Sequence, residues 1–153
     1  MLGMPTHEYR TQRRIEFADT DMAGIVHFSR FFVFMESAEH EFLRSLGCDV
    51  HFEHQGRHLG WPRVAASCSY KSPVRFGELL DIRLAIQRKG RRALTYRAEF
   101  TCGGRRIAEG EISCICCALS TPLPEPEAKL EPIPIPRFLA DQIAEAPLPG
   151  ESS

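Results

Sequence analysis

IEFADTDMAGIVHFSRFFVFMESAEHEFLRSLG, residues 15–47, contains the change of pattern that decides the fold. From Ser29 onward Phe31, Phe34, Met35, Ala38, Phe42 and Leu46 recur at three- and four-residue steps, the period of a helix. Ser29 is a suitable N-cap and Gly47 a suitable residue just past the C-cap. Phe32 and Val33 widen the apolar face, so this long helix is expected to be wrapped by something, most simply a curved sheet. Upstream, QRRIEF (12–17) predicts a first strand that feeds a loop running from Asp19 to Gly24.

Downstream the pattern turns to β. Segments 64–74, 78–90, 92–104 and 105–119 alternate or run apolar and are separated by Pro73, Gly77, Gly90 and the Gly103-Gly104 pair, which predicts consecutive antiparallel strands. Residues 51–60, HFEHQGRHLG, have no clear period and are expected to form a loop with room for one helical turn. The order strand, long helix, four strands defines an α+β class. Most of the eleven prolines fall after Thr121. The chain therefore divides into one domain over 1–120 and a Pro-rich tail over 121–153, with a short helix expected after Pro136 and disorder over the last half-dozen residues.

At 153 residues the chain can bury a self-sufficient core. Nineteen basic against twenty acidic side chains leave a net charge of −1, which argues against a nucleic-acid or membrane-surface partner and for a small one. The N-terminal stretch lacks the apolar segment of a secretory leader, and the expected compartment is the cytoplasm. Six cysteines show neither C-x-x-C nor zinc spacing, so no metal site is expected. Cys114, Cys116 and Cys117 lie in the apolar run ISCICCAL, where a thiol behaves as a small hydrophobe.

Asp21 lies in a Gly-containing loop just ahead of the longest helix, where free N–H groups and the helix dipole favour developing negative charge. A carboxylate there could serve as nucleophile or as general base to a water, or could simply hold a turn. Arg88, Lys89, Arg91 and Arg92 surround the Gly90 turn, either as a solvated hairpin tip or as a phosphate contact. Glu36, on the helix among phenylalanines, needs a partner if buried, and a structural pair is the simpler reading.

Residues 14–47, with D-x-D-x-x-G-I-V between a strand and an aromatic-rich helix, resemble the signature region of the 4-hydroxybenzoyl-CoA thioesterase branch of the hotdog-fold thioesterases. The resemblance continues through WPRVAASCSYKSPVRFGELLDI and QRKGRRALTYR, covering roughly residues 10–120. It implies a hotdog fold, a curved antiparallel sheet wrapped around one long helix, and hydrolysis of an acyl-CoA to a carboxylic acid and free coenzyme A. Coenzyme A enters as part of the substrate, and no cofactor is implied. Asp21 falls on the family's catalytic carboxylate, Asp19 on a loop-shaping acid, Gly24 on the tight-turn glycine, and the Phe28 N–H on the donor that polarises the thioester carbonyl. Arg91 and Arg92 match the turn that approaches the nucleotide. The resemblance also implies a homodimer joined edge to edge, commonly paired into a homotetramer, with sites between subunits. One departure stands out: the hydroxybenzoyl enzymes carry Tyr where this chain has Phe28, whose side chain has no donor. His27 could supply a polar group from the next position or could pack. A non-catalytic acyl-CoA-binding protein is the alternative that Phe28 keeps open.

Overall fold

The computed structural model describes residues 3–120 and 129–148. Strand β1 (Glu8–Arg14) leads through a 3-10 turn (Phe17–Asp19) and the Asp21 loop into helix α1 (Arg30–Ser45). There follow β2 (Phe52–His54), β3 (Arg57–Gly60), β4 (Arg63–Tyr70), β5 (Leu79–Lys89), β6 (Ala93–Cys102), β7 (Arg105–Ile115), β8 (Cys117–Leu119), β9 (Leu130–Pro132) and the short α2 (Arg137–Ala140). Five strands form an antiparallel sheet in the order β1-β5-β6-β7-β4, and β2-β3-β8-β9 form a second, smaller one.

Alternation explains the large sheet. Leu80, Ile82, Leu84 and Ile86 on β5, and Leu94, Tyr96, Ala98 and Phe100 on β6, all point to one buried face. Helix α1 lays Phe31, Phe34, Met35, Ala38, Phe42 and Leu43 onto that face. Gly110 on β7 makes the approach possible, because a Cβ there would lie 2.4 Å from Met35 Sδ. The helix closes as expected at Gly47, whose φ of +81° admits the left-handed turn. The Cys48 N–H returns to Leu43 O and the Gly47 N–H to Arg44 O, the paired bonds of a Schellman motif.

Three expectations need correction. Residues 51–60 form a hairpin, β2–β3, whose turn residues Gln55 and Gly56 both have positive φ, as a two-residue mirror-image turn requires. Its charged and histidine-rich strands hide the alternation, and pairing with β8 supplies the missing stability. The first strand starts at Glu8 and ends at Arg14, so Phe17 belongs to the 3-10 turn. The segment 105–119 is two strands, because the Cys116 N–H turns away to Arg92 O and hands the chain to the second sheet.

The C-terminal residues pack onto the body. β9 pairs with β8, and Ile143 bridges Thr6. The short helix after Pro136 is present, four residues long. Lys89 Nζ donates to Ala140 O and Ile143 O, which commits that lysine to the tail and removes it from the basic cluster. The Pro-rich stretch 121–128 and the disorder expected at the chain end lie outside the described residues, apart from Leu148. Among the described residues no helix is long and apolar enough to cross a membrane.

Candidate active site

The loop between β1 and α1 is held by its first acid. Asp19 is fully buried, takes the Arg30 guanidinium on Oδ1 at 2.7 and 2.9 Å, and receives the Glu16 N–H on Oδ2 at 2.8 Å. Its backbone carbonyl accepts the His27 N–H at 2.8 Å. Asp19 is therefore the post that ties the loop to the first turn of α1, and its loss would leave the half-buried Arg30 guanidinium without its carboxylate. Nothing in the sequence marks Arg30, one residue past the expected N-cap, as a cation that faces back into the loop.

Asp21 is half-buried and does two things. Oδ1 accepts the Ala23 N–H at 2.8 Å and the Ile25 N–H at 3.4 Å, the turn-holding role that an Asp performs locally. Oδ2 accepts no hydrogen bond among the described residues and keeps its lone pairs for an incoming group. Gly24, with φ of +78°, lets the loop double back so that Asp21 and Ile25 pair through their backbones.

At the start of α1 the backbone groups are accounted for one by one. The His27 N–H goes to Asp19 O, His27 O accepts the Arg30 N–H, and Phe28 O accepts the Tyr70 hydroxyl at 2.9 Å. The Phe28 N–H donates to no group among the described residues. Ser29 stands at the N-cap position, but its hydroxyl meets His27 Nδ1 at 2.8 Å and caps no N–H. The helix start thus offers an unpartnered donor beside the Asp21 loop, the arrangement that stabilises an oxyanion. The His27 and Phe28 rings lie 4.6 Å apart, and Phe28 is 62% exposed.

Arg91 and Arg92 are exposed on the β5–β6 turn. With Arg88, Val64, Thr95 and Ser113 they line a cleft of about 620 Å³, and none of the three arginines has a carboxylate partner among the described residues. The turn sits at the far end of β5 from the Asp21 loop. An 11-residue strand rising about 3.4 Å per residue separates them by roughly 35 Å. Within one chain the two predicted groups are therefore not brought together.

Glu36 is exposed, and the buried carboxylate is Glu39. Arg63 grips both Glu39 oxygens at 2.8 and 2.5 Å and reaches Glu36 at 3.4 Å. Burial pushes the Glu39 carboxyl above the ordinary range against the pull of Arg63. The period could have shown this, since 39 follows Met35 by four on the buried stripe. All six cysteines are free, and burial pushes Cys114 and Cys116 each up to about 12, which leaves them without thiolate chemistry near neutrality.

A long helix on an antiparallel sheet, with a carboxylate loop and an open donor at the helix start, is the architecture of the hotdog-fold thioesterases. The chain belongs to the thioesterase-like superfamily, whose family model matches residues 15–143. The 1,4-dihydroxy-2-naphthoyl-CoA hydrolase of Thermosynechococcus vestitus is 31% identical over 128 residues, 80% of this chain and 86% of that one. Among solved structures a gentisyl-coenzyme A thioesterase superposes with a TM-score of 0.72 at 26% identity, covering 89% of this chain and all of that one. The 4-hydroxybenzoyl-CoA thioesterase shares the fold, with a TM-score of 0.74 at 18% identity over 91% of this chain and all of that one.

Proposed function

We propose that this chain hydrolyses an aryl-CoA thioester, with Asp21 acting on the carbonyl carbon directly through Oδ2 or through a water that it deprotonates. The observation that carries this reading is the Phe28 N–H, which has no acceptor among the described residues while the His27 N–H, His27 O, Phe28 O and Ser29 N–H around it are all engaged. As charge develops on the carbonyl oxygen that donor and the helix dipole stabilise it. The C–S bond then breaks to release the coenzyme A thiolate, which takes a proton from the attacking water by way of Asp21 or from solvent. On the direct path a water then hydrolyses the Asp21–acyl anhydride, freeing the acid and restoring the carboxylate. No metal or redox cofactor has a part in these steps. The exposed rings of Phe28 and Tyr70, with His27 against Phe28, suit a planar acyl group, and the relatives named above act on aryl thioesters.

Two copies complete the site. β4 is an edge of the large sheet, and its Val64 is 57% exposed. The Asp21 end is tied to the C-terminal end of β4 by the Tyr70 bond, whereas the arginine cleft includes Val64 at its N-terminal end. Antiparallel pairing of β4 with a second β4 would set one copy's Asp21 beside the other's cleft, where Arg91 and Arg92 would meet the nucleotide phosphates. The proposed assembly is a homodimer, paired again into a homotetramer, acting on a soluble acyl-CoA in the cytoplasm.

Thiol release from benzoyl-CoA and from short- and long-chain acyl-CoAs, compared between the native protein and Asp21→Asn at equal foldedness, tests the reading. Fastest turnover on the aryl thioester, collapsing in the variant, supports it. Acyl-CoA binding without turnover would replace it with a non-catalytic binder.

A further inference from the structure

Tyr70 lies on β4, outside the loop and the helix, yet its hydroxyl donates to Phe28 O at 2.9 Å. Phe28 stands one residue ahead of the N-cap Ser29, so its carbonyl is not one the helix claims, and the Phe32 N–H goes to Ser29 O at 3.2 Å. Among the described residues Tyr70 is the partner that Phe28 O has. The phenol ring packs edge-on against Phe31, with centroids 5.4 Å apart, and Phe31 is buried against Phe34 and Phe100. The hydroxyl is thus delivered from a ring braced by the core.

We propose that Tyr70 is a positioning residue for the oxyanion donor: by holding Phe28 O it fixes the orientation of residue 28 and aims the Phe28 N–H at the thioester carbonyl. The inference rests on the hydrolase reading above. Phe28 has no side-chain donor with which to anchor itself, its ring is exposed, and the backbone dihedrals of residue 28 are set by what grips its two peptide units. The Arg30 N–H grips the first of those units through His27 O, and the second is held by Tyr70 at Phe28 O and by His27 Nδ1, which accepts the Ser29 N–H at 3.3 Å. Burial pushes the phenol up to about 12, with Cys68 adding to the shift, so the hydroxyl stays protonated and remains a donor.

Tyr70→Phe removes the hydroxyl and keeps the ring on Phe31. Steady-state hydrolysis of benzoyl-CoA by this variant should show kcat lowered about tenfold or more with KM within about twofold of native, since a misaimed donor costs the transition state, where the oxygen carries the developed charge, much more than the ground state. The second readout is the carbonyl stretch of benzoyl-CoA labelled with ¹³C at the carbonyl and bound to Asp21→Asn. It should move to lower frequency than in solution, and adding Tyr70→Phe should shrink that displacement. This signal comes only from folded, ligand-bound molecules, so partial unfolding does not imitate it. An unchanged kcat, a change confined to KM, or an undiminished displacement overturns the role of Tyr70. If Asp21→Asn itself retains full turnover, the hydrolase reading fails instead, whatever Tyr70 does.

Discussion

The two ends of α1 are built on opposite terms. At the C-terminal end Gly47 folds the chain back and the last carbonyls receive the Gly47 and Cys48 N–H groups. At the N-terminal end, among the described residues, the serine in the N-cap position caps no N–H, the Phe28 N–H has no acceptor, and one Asp21 oxygen is uncommitted. The satisfied end and the helix seat hold the fold together, and the unsatisfied end is available for chemistry. Loss at one should therefore register as stability and at the other as rate.

The largest test is Asp21→Asn, expected to lower kcat for thiol release by about a hundredfold or more while leaving the melting temperature near native. A large fall in melting temperature would mean that the turn bonds of Oδ1 are its main contribution, and the contrast between the ends would break. Next is Arg63→Ala, which leaves Glu39 buried without its cation and should cost about 3 kcal/mol in chemical denaturation. The Glu39 carboxyl sits above its unfolded value, so the folded state holds its proton over a window in which the unfolded chain has released it. Stability from this group is fully present below the ordinary carboxylate value and declines as pH rises through that window, so the cost of Arg63→Ala should be greater at pH 8 than at pH 5.

Charge reversal at Arg91 and Arg92 should raise KM for benzoyl-CoA about tenfold and leave KM for a benzoyl-pantetheine thioester nearly unchanged. Equal effects on the two would detach the cleft from the site. Gly47→Ala forces a side chain into positive φ and should cost about 1 kcal/mol in denaturation with kcat unchanged. The smallest effect is at β1. Burial pushes the Glu8 carboxyl up, but Arg83 outweighs it and holds the group below its ordinary value. Its contribution to stability is present above the unfolded carboxylate value and fades as pH falls through the folded one, so Glu8→Gln should flatten the acid limb of a stability profile slightly.

Much of this molecule was legible in the sequence for a local reason. The helix, its C-terminal glycine and the four longer β segments follow from hydrophobic period and turn residues, which depend on near neighbours. The Asp21 loop was legible too, as a short motif whose position between strand and helix carried the family resemblance. The β2–β3 hairpin was not, because its residues are polar and its strands are stabilised by β8, some sixty positions away. The buried acid of α1 was legible in the helical period, since Glu39 continues the stripe of Met35, Ala38 and Phe42 whereas Glu36 lies off it, but the cation that pairs with it was not.

The sequence by itself determined an α+β chain with one long amphipathic helix and an acidic loop at its start, because period and turn chemistry act over a few residues. Tertiary structure alone decided that Asp19 pairs with Arg30, that Glu39 pairs with Arg63, that Tyr70 reaches Phe28 O, and that the arginine turn lies at the opposite end of the sheet. Those outcomes depend on which distant strands come to lie side by side, and strand order is set by the packing of the whole core.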